Sequence, residues 1–256
     1  MNRRVPNKKI TLQYTIVGDG KMSQHLCHYF SLLGVAYNCW SRKHSINLLR
    51  STVIKSDVVI LLISDNAIEK FANDNPFIKS KTLVHFSGAL SSSEIIGCHP
   101  LMTFSQSVYD LKTYQNMPFV CDVGTDFNDL FPQLENQFFS INQSDKAYYH
   151  AMCVMAGNFT QMLMKDTASE LTKKMHLPDN ILFPYLLQNT FNFISNPNNS
   201  TTGPIQRGDF TTVKKHLHVL KDSPMEGLYK CFVNYATPLK SDNYSPTDSI
   251  IKEKAQ

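Results

Sequence analysis

The first part of the chain alternates short apolar runs with segments of helical periodicity. A β-rich run at 12–17 ends at Gly18, and residues 21–33 carry apolar side chains on one helical face before Gly34. A helix is also predicted over 126–138. Further strand-like runs are found at 36–40, 57–63, 82–86, 95–98, 118–123 and 139–141. This alternation predicts βαβ units around a mainly parallel sheet, an α/β fold.

After Asn142 the pattern becomes helical throughout. Residues 144–175 contain no proline and one glycine, which predicts a long helix. Further helices are expected at 181–194, 210–220 and 224–235, with Asp209 capping the second and Ser223 and Glu226 forming a capping box for the third. We therefore expect a sheet domain over 1–143, an all-helical domain over 144–240 and a flexible tail over 241–256.

Composition narrows the class of protein. A hydrophobic fraction of 42% and a charged fraction of 18% are typical of a soluble globular protein. The net charge of +4 comes without a basic stripe, and no apolar run approaches the roughly 18 residues of a membrane span, so neither nucleic acid nor membrane is expected as a partner. Six dispersed cysteines, most of them in apolar runs and without a CxxC pair, predict buried free thiols, no metal site and a cytoplasmic location.

The turn after the first strand carries the clearest chemical signal. Two glycines of a GxGxxG motif are present, with Ser23 at the third position. In such a turn the first glycine permits the tight bend, and the second lets backbone approach a pyrophosphate at the helix N-terminus. A bare structural turn is the alternative, but a strand before the motif and a helix after it favour nucleotide binding. The predicted cofactor contacts here are Gly18, Asp19, Gly20, Lys21 and Met22.

The end of the second predicted strand indicates which dinucleotide is bound. NAD sites usually carry a carboxylate about 20 residues after the glycines, to bind the ribose 2′-hydroxyl. This chain has Ser41, Arg42 and Lys43 there instead. A guanidinium and an ammonium suit a 2′-phosphate, so NADP is favoured over NAD. The alternative is that both are simply exposed charges.

Polar and small residues follow the third and fourth predicted strands. Ligands of open parallel sheets lie at the carboxyl ends of the strands. Ser64 and Asp65, then Ser87 and Gly88, are therefore candidate contacts for the cofactor or substrate. Simple turn chemistry is the alternative for Asp65. For His99 two roles are open: it either contributes to the site or holds the tight turn before the following proline.

Short motifs occur at 84–89, at 97–104, at 149–151 with Asn158, and at 202–209 with His216 and Leu217. They resemble an uncharacterised family of two-domain Rossmann-like proteins described as NADP oxidoreductases, and the resemblance covers about 14–235. The family is distantly similar to ketopantoate reductase, pyrroline-carboxylate reductase and the 6-phosphogluconate dehydrogenase group. The resemblance implies a Rossmann-like domain, a helical domain like the C-terminal domain of 6-phosphogluconate dehydrogenase, a cleft between them and a homodimer through the helices. It supplies no substrate.

The catalytic residues of the better-known relatives do not carry over completely. Their hydroxyacid dehydrogenase branch has a lysine four residues before an asparagine, but Val154 stands four residues before Asn158 here. His150 lies about one turn earlier, and on an ideal α-helix it shares a face with Gly157, with Asn158 at the edge. We predict His150 as the proton donor and Asn158 as a substrate-orienting residue, against the alternative that both only pack.

Arg207 lies in the turn Gly-Pro-x-x-Arg-Gly-Asp, and two roles are open for it. It either binds a substrate carboxylate or pairs with Asp209. Together these features favour an enzyme, an NADP-dependent oxidoreductase acting on a small carbonyl, imine or hydroxyacid. A non-catalytic nucleotide-sensing or interaction protein on the same scaffold is the alternative.

Overall fold

The computed structural model describes residues 11–237. The flexible tail expected at 241–256 lies outside the described residues. Among the described residues, those up to Lys165 form one compact unit, the sheet unit, and those from Asp166 form a second, the helical unit. The division falls within a helix, so the domain boundary expected near 142–145 stays a prediction.

Seven strands in the described part of the chain form one sheet in the order β2-β1-β3-β4-β5-β6-β7. All neighbouring strands are parallel except β5 and β6, which are antiparallel. This confirms the mainly parallel α/β fold expected from the alternating pattern. The strands are β1 (Tyr14–Val17), β2 (Tyr37–Trp40), β3 (Val58–Leu61), β4 (Thr82–His85), β5 (Ile96–Pro100), β6 (Phe119–Asp122) and β7 (Phe138–Ile141).

Helices surround the sheet and make up the regular structure of the helical unit. In the sheet unit they are α1 (Lys21–Leu33), α2 (Ile46–Ile54), α3 (Asp65–Asp74), α4 (Leu111–Gln115), α5 (Phe127–Leu130) and α6 (Lys146–Cys153). A π-helical segment, Val154–Phe159, joins α6 to α7 (Thr160–Met175). The remaining helices are α8 (Phe183–Ser195), α9 (Pro204–Arg207), α10 (Phe210–Val219) and α11 (Pro224–Ala236). Within residues 11–237, every helix is too short or too polar to cross a membrane.

The central strands are buried on both faces, which explains their continuous apolar sequences. On β3, Ile60 packs in the same core as Phe30 of α1. Its neighbour Val59 belongs to the core on the other face, with Leu49 of α2 and Ile68 of α3. Because successive side chains of a strand point to opposite faces, helices are required on both sides of the sheet.

The helix expected at 126–138 is wrong for most of its length. Only α5 forms, and Phe131 leaves the helical conformation with φ −137° and ψ 62°. Pro132 follows it. Proline has no N–H to donate and disfavours helical geometry in the residue before it, so the apolar periodicity continues without a helix.

Two predicted helix caps had different outcomes. Asp209 caps α10 as expected, since its Oδ1 accepts the Thr212 N–H at 3.0 Å. The capping box at α11 is wrong: the Ser223 hydroxyl donates to the Leu220 carbonyl instead. Glu226 accepts the N–H of Asp222 at 2.9 Å, one residue before the expected partner. This N-terminus therefore continues the preceding turn instead of forming a reciprocal box.

Candidate functional site

The turn between β1 and α1 has the geometry of a ligand-binding glycine turn. Gly18 has φ +131°, and a Cβ there would lie 2.2 Å from the Leu62 carbonyl oxygen, so only glycine permits this approach. Gly20 is the N-cap of α1 and provides no side-chain cap, while the space where its Cβ would lie is open. Within the described part of the chain, the first N–H groups of α1 thus have no capping side chain, and this helix N-terminus is accessible.

Ser23 occupies the position of the third glycine and serves packing. Its side chain is buried, with Oγ 3.0 Å from the Cβ position of Gly18. Among the described residues, Oγ has no hydrogen-bond partner. A side chain this small lets α1 lie close to the turn after β1, which is the role that the third glycine has in the motif.

The basic end of β2 lies beside this turn. Lys43 forms an ion pair with Asp19, with Nζ and Oδ2 2.7 Å apart and both side chains more than half exposed. The hydrogen bond from Lys43 and its charge, with a smaller contribution from Arg42, hold the pKa of Asp19 below its usual range. Ser41 is buried, and its N–H donates to His44 Nδ1 at 3.2 Å. The structure thus brings Asp19, Arg42 and Lys43 together, while Ser41 shapes the turn that carries them.

Asp65 and Ser87, predicted from separate strand ends, are in direct contact. The Ser87 hydroxyl donates to Asp65 Oδ2 at 2.5 Å and accepts the Leu90 N–H at 3.0 Å. Ser64 precedes them as the exposed N-cap residue of α3. The loops after β3 and β4 are therefore tied together at the carboxyl edge of the sheet, and the Ser87 hydroxyl already has partners within the protein.

Gly88 makes room for His150. A Cβ on Gly88 would lie 2.5 Å from His150 Cδ2 and 3.2 Å from His99 Cδ2. Gly88 itself is buried. The two imidazole rings are nearly perpendicular, with centroids 5.9 Å apart. The missing side chain at Gly88 thus allows a histidine of α6 to reach the ends of β4 and β5.

His99 is linked to the same helix by Tyr149. His99 Nδ1 and the Tyr149 hydroxyl lie 2.8 Å apart. Burial, followed by the charges of His150 and Lys146, lowers the pKa of His99 to about 4, and burial raises the pKa of Tyr149. At neutral pH His99 is therefore uncharged and Tyr149 keeps its proton. The sequence analysis left His99 open and did not single out Tyr149.

A buried ion pair fixes the first turn of α6, and the sequence analysis missed it. Lys146 Nζ lies 2.8 Å from Asp122 Oδ1, and the two side chains are 3% and 7% exposed. Asp122 also accepts the Gly97 N–H at 2.8 Å and Gln143 Nε2 at 3.2 Å. A Cβ on Gly97 would lie 2.1 Å from Lys146 Nζ. The pair therefore anchors α6 to β5 and β6 one turn before His150.

His85, at the end of β4, is fully buried and remains neutral. Its Nδ1 accepts the Ser87 N–H at 3.1 Å, which places the proton on Nε2. Among the described residues, Nε2 has no partner. Burial, with a smaller effect of Lys146, lowers the pKa of His85 to about 4. His85 thus holds the loop of Ser87 and is uncharged at neutral pH.

The π-helical segment alters the face on which Asn158 lies. A π turn takes up about one residue more than an α turn, so one turn of each spans about eight residues. Because the step from His150 to Asn158 runs through Val154–Phe159, Asn158 comes onto the face of His150. Gly157 moves away from that face, which corrects the expectation from an ideal α-helix. Asn158 is exposed.

Arg207 lies in the helical unit, at the exposed end of α9. The flanking Gly203 and Gly208 have φ +106° and +71°, a conformation that favours glycine. Asp209 caps α10 and also binds the Thr212 hydroxyl at 2.7 Å. This supports a capping role for Asp209, and the role of Arg207 toward a substrate stays a prediction.

The fold and the glycine turn define a Rossmann-like protein, and comparison with known proteins agrees. Residues 125–236 match the family model described as Domain of unknown function (DUF2520). A comparison with curated proteins found no match. The family model covers β7 and the helices that follow, whereas the glycine turn lies outside it.

Several solved structures share the fold over most of their length. A Bacteroides fragilis protein titled "putative NADP oxidoreductase" has TM-score 0.70 and 20% identity, covering 89% of this chain and 98% of that one. A Thermotoga maritima protein has TM-score 0.64 and 22% identity, covering 89% and 99%. Plasmodium falciparum pyrroline carboxylate reductase has TM-score 0.54 and 14% identity, covering 89% and 96%. These likenesses confirm the expected Rossmann-like fold.

Proposed function

We propose that this protein is an NADP-dependent oxidoreductase. The observation that carries the proposal is the glycine turn at the carboxyl edge of the sheet, with an uncapped helix N-terminus beside Arg42 and Lys43. Two proteins of similar fold support the choice of cofactor. The Bacteroides fragilis protein is described as a "putative NADP oxidoreductase", and the Plasmodium falciparum pyrroline carboxylate reductase was solved with NADP bound.

The residues at the turn fit a dinucleotide. Open space at Gly20 and the free N–H groups of Lys21 and Met22 would receive the pyrophosphate. Arg42 and Lys43 would bind a 2′-phosphate, and Lys43 would then exchange its partner Asp19 for the phosphate. NAD lacks that phosphate, so Lys43 would keep its pair with Asp19 and Arg42 would gain no anion from the cofactor. Ser64, Asp65, Ser87 and Gly88 would line the rest of the edge toward α6.

NADPH, when bound, supplies a hydride, and the protein must supply a proton to the substrate. His150 is the proposed proton donor because it is half-buried against Gly88 and close to the ends of β4 and β5. Asn158, on the same helical face, would orient the substrate. A small carbonyl or imine has the single proton-accepting atom that this arrangement serves. A hydroxyacid would react in the reverse direction, giving its hydride to NADP and its hydroxyl proton to His150. Arg207 remains the proposed partner for a substrate carboxylate.

Replacing Arg42 tests the cofactor preference. Arg42→Ala should weaken binding of NADPH by about tenfold, because a charge-assisted contact to phosphate is lost, and leave NADH affinity nearly unchanged. The matched control is Lys112→Ala, which removes an exposed cation from α4. Equal losses for both cofactors would remove the case for phosphate recognition.

Replacing His150 tests the proposed catalysis. His150→Gln keeps a polar side chain but cannot donate a proton as an imidazolium, so turnover should fall by about 100-fold while NADPH affinity holds. The assay is oxidation of NADPH against a panel of small ketones and imines. An unchanged rate would assign His150 a packing role.

A second candidate function is a non-catalytic nucleotide sensor. Its support is Val154, which occupies the position of the catalytic lysine in the hydroxyacid dehydrogenase relatives. This alternative predicts NADPH binding without turnover of any substrate in the panel. Turnover with any one of them would exclude it.

We also propose that the protein forms a homodimer through its helical unit. No residue of α8 is buried, and Leu187, Phe191 and Ile194 are 71%, 63% and 71% exposed. A face this apolar is typical of an interface. Light scattering should give twice the monomer mass, and Leu187→Glu should shift it toward the monomer. A monomeric native protein would contradict the proposal.

The free thiols of the chain support a reducing compartment, the cytoplasm.

A further inference from the structure

Two cysteines face each other beside the glycine turn. Cys27 lies on α1 and Cys39 on β2, and their Sγ atoms are 3.1 Å apart. Both are free thiols, Cys27 partly buried and Cys39 exposed. The sequence analysis expected dispersed, buried cysteines, and the exposed Cys39 and Cys231 contradict the expected burial. The pair was missed because residues 12 positions apart become neighbours only when α1 packs beside β2.

The separation is close to that of a covalent bond. A disulfide has an S–S distance of about 2.05 Å, so the two sulfurs need to approach by roughly 1 Å. Small rotations of two side chains provide a movement of this size.

The two thiols differ in reactivity. The thiolate is the nucleophile in thiol–disulfide exchange. The hydrogen bond from Cys27 lowers the pKa of Cys39, whereas the interaction with Cys39 and burial raise the pKa of Cys27. Cys39 is also the more accessible of the two. Cys39 is therefore suited to attack an oxidant, and Cys27 to resolve the product.

A second pair provides an internal comparison. Cys98 and Cys121 are directly opposite in the antiparallel pair β5 and β6. Their exposures are 0% and 1%. Because a soluble oxidant cannot reach them in the folded protein, accessibility separates the two pairs.

We propose that Cys27 and Cys39 form a redox-active dithiol that closes to an intrachain disulfide with a small-molecule disulfide such as oxidised glutathione. The Cys39 thiolate attacks one glutathione sulfur, forming a mixed disulfide and releasing one glutathione thiolate. Cys27 gives its proton to solvent and attacks the Cys39 sulfur, releasing the second. The two cysteines lose two electrons, and one oxidised glutathione becomes two reduced ones.

The disulfide would regulate the cofactor site, a consequence that rests on the proposed function. It joins α1, whose N-terminus forms the glycine turn, to β2, which leads into Ser41 and Lys43. A covalent link between α1 and β2 limits how far the glycine turn and the basic end of β2 can adjust around a bound nucleotide. Oxidation is therefore expected to weaken NADPH binding by about fivefold or more.

The test is oxidation of the native protein with oxidised glutathione, followed by alkylation and non-reducing peptide mapping. We expect a peptide linked through Cys27 and Cys39 that dithiothreitol reverses, with Cys98 and Cys121 still reduced. Cys39→Ser should abolish the link, whereas Cys231→Ser, which removes another exposed thiol, should not.

Recovery of Cys27 and Cys39 as alkylated thiols, or as separate glutathione adducts, would overturn the proposal. Because this readout needs no cofactor, it is independent of the proposed function. A disulfide that forms without changing NADPH affinity would overturn only the regulatory consequence. Failure of the reduced protein to bind NADPH would instead count against the proposed function.

Discussion

The buried ion pair of Lys146 and Asp122 leads to the sharpest stability prediction. Lys146→Met keeps most of the side-chain volume but leaves the Asp122 carboxylate buried without its cation. Removing one partner of a buried pair costs about 3–5 kcal/mol. Asp122 would keep its hydrogen bonds from the Gly97 backbone N–H and from Gln143 Nε2. We therefore expect a loss of stability at the lower end of this range, about 3 kcal/mol. The melting temperature should fall by roughly 6–12 °C.

The single tryptophan provides the assay. Trp40 lies on β2 and is buried in the same unit as the ion pair, so its fluorescence during urea denaturation reports unfolding of that unit. The control is Lys70→Met, which breaks the exposed pair with Asp74, whose side chains are 76% and 57% exposed. An exposed pair of this kind contributes less than about 0.5 kcal/mol.

A double variant completes the test. Lys146→Met with Asp122→Asn removes both charges, so it should be more stable than Lys146→Met alone by at least about 1 kcal/mol. The reasoning would be refuted if Lys146→Met lay within about 1 kcal/mol of the native protein. Strict additivity of the two substitutions would refute it equally.

Three further predictions follow from the site. Gly88→Ala should displace the His150 ring, visible by histidine NMR, and lower the free energy of unfolding by about 1–3 kcal/mol in urea denaturation. Gly157→Ala is the control, because its Cβ would lie in open space and neither measurement should change. Asp19→Asn should tighten NADPH binding by roughly twofold to fivefold, because a like charge beside the phosphate is removed, and titration measures it. The free energy of unfolding should fall as the pH falls from about 6.5 to about 4, because the unfolded chain binds the proton that folded His99 rejects; His99→Gln should reduce this dependence.

Local features of the fold were predictable from the sequence. Gly34 ends α1 at the expected residue because its φ of +67° suits glycine. The apolar run at 57–63 correctly predicted β3. A strand covered on both faces needs apolar residues at every position, so the run was a reliable signal. The prediction of a helix at 126–138 was wrong because it followed the apolar periodicity and ignored Pro132, the residue that ends helical geometry there.

Long-range pairing in the site was not predictable. Asp122 lies in an apolar strand and Lys146 at the start of a helix, and no local pattern shows that they meet. Gly88 was expected to contact the cofactor or substrate because it follows a strand, and that stays a prediction. Its close approach to the rings of His99 and His150 was not foreseen. In both cases the determining contact joins residues far apart in the sequence, so it depends on the assembled sheet.

The central claim is that the glycine turn and the basic end of β2 bind NADP. Equilibrium titration of the native, reduced protein with NADPH and with NADH, followed by nicotinamide fluorescence, tests it most directly. The account predicts saturable binding of both, with NADPH bound at least about tenfold more tightly because of its 2′-phosphate. Binding of neither nucleotide, or equal affinity for the two, would contradict it.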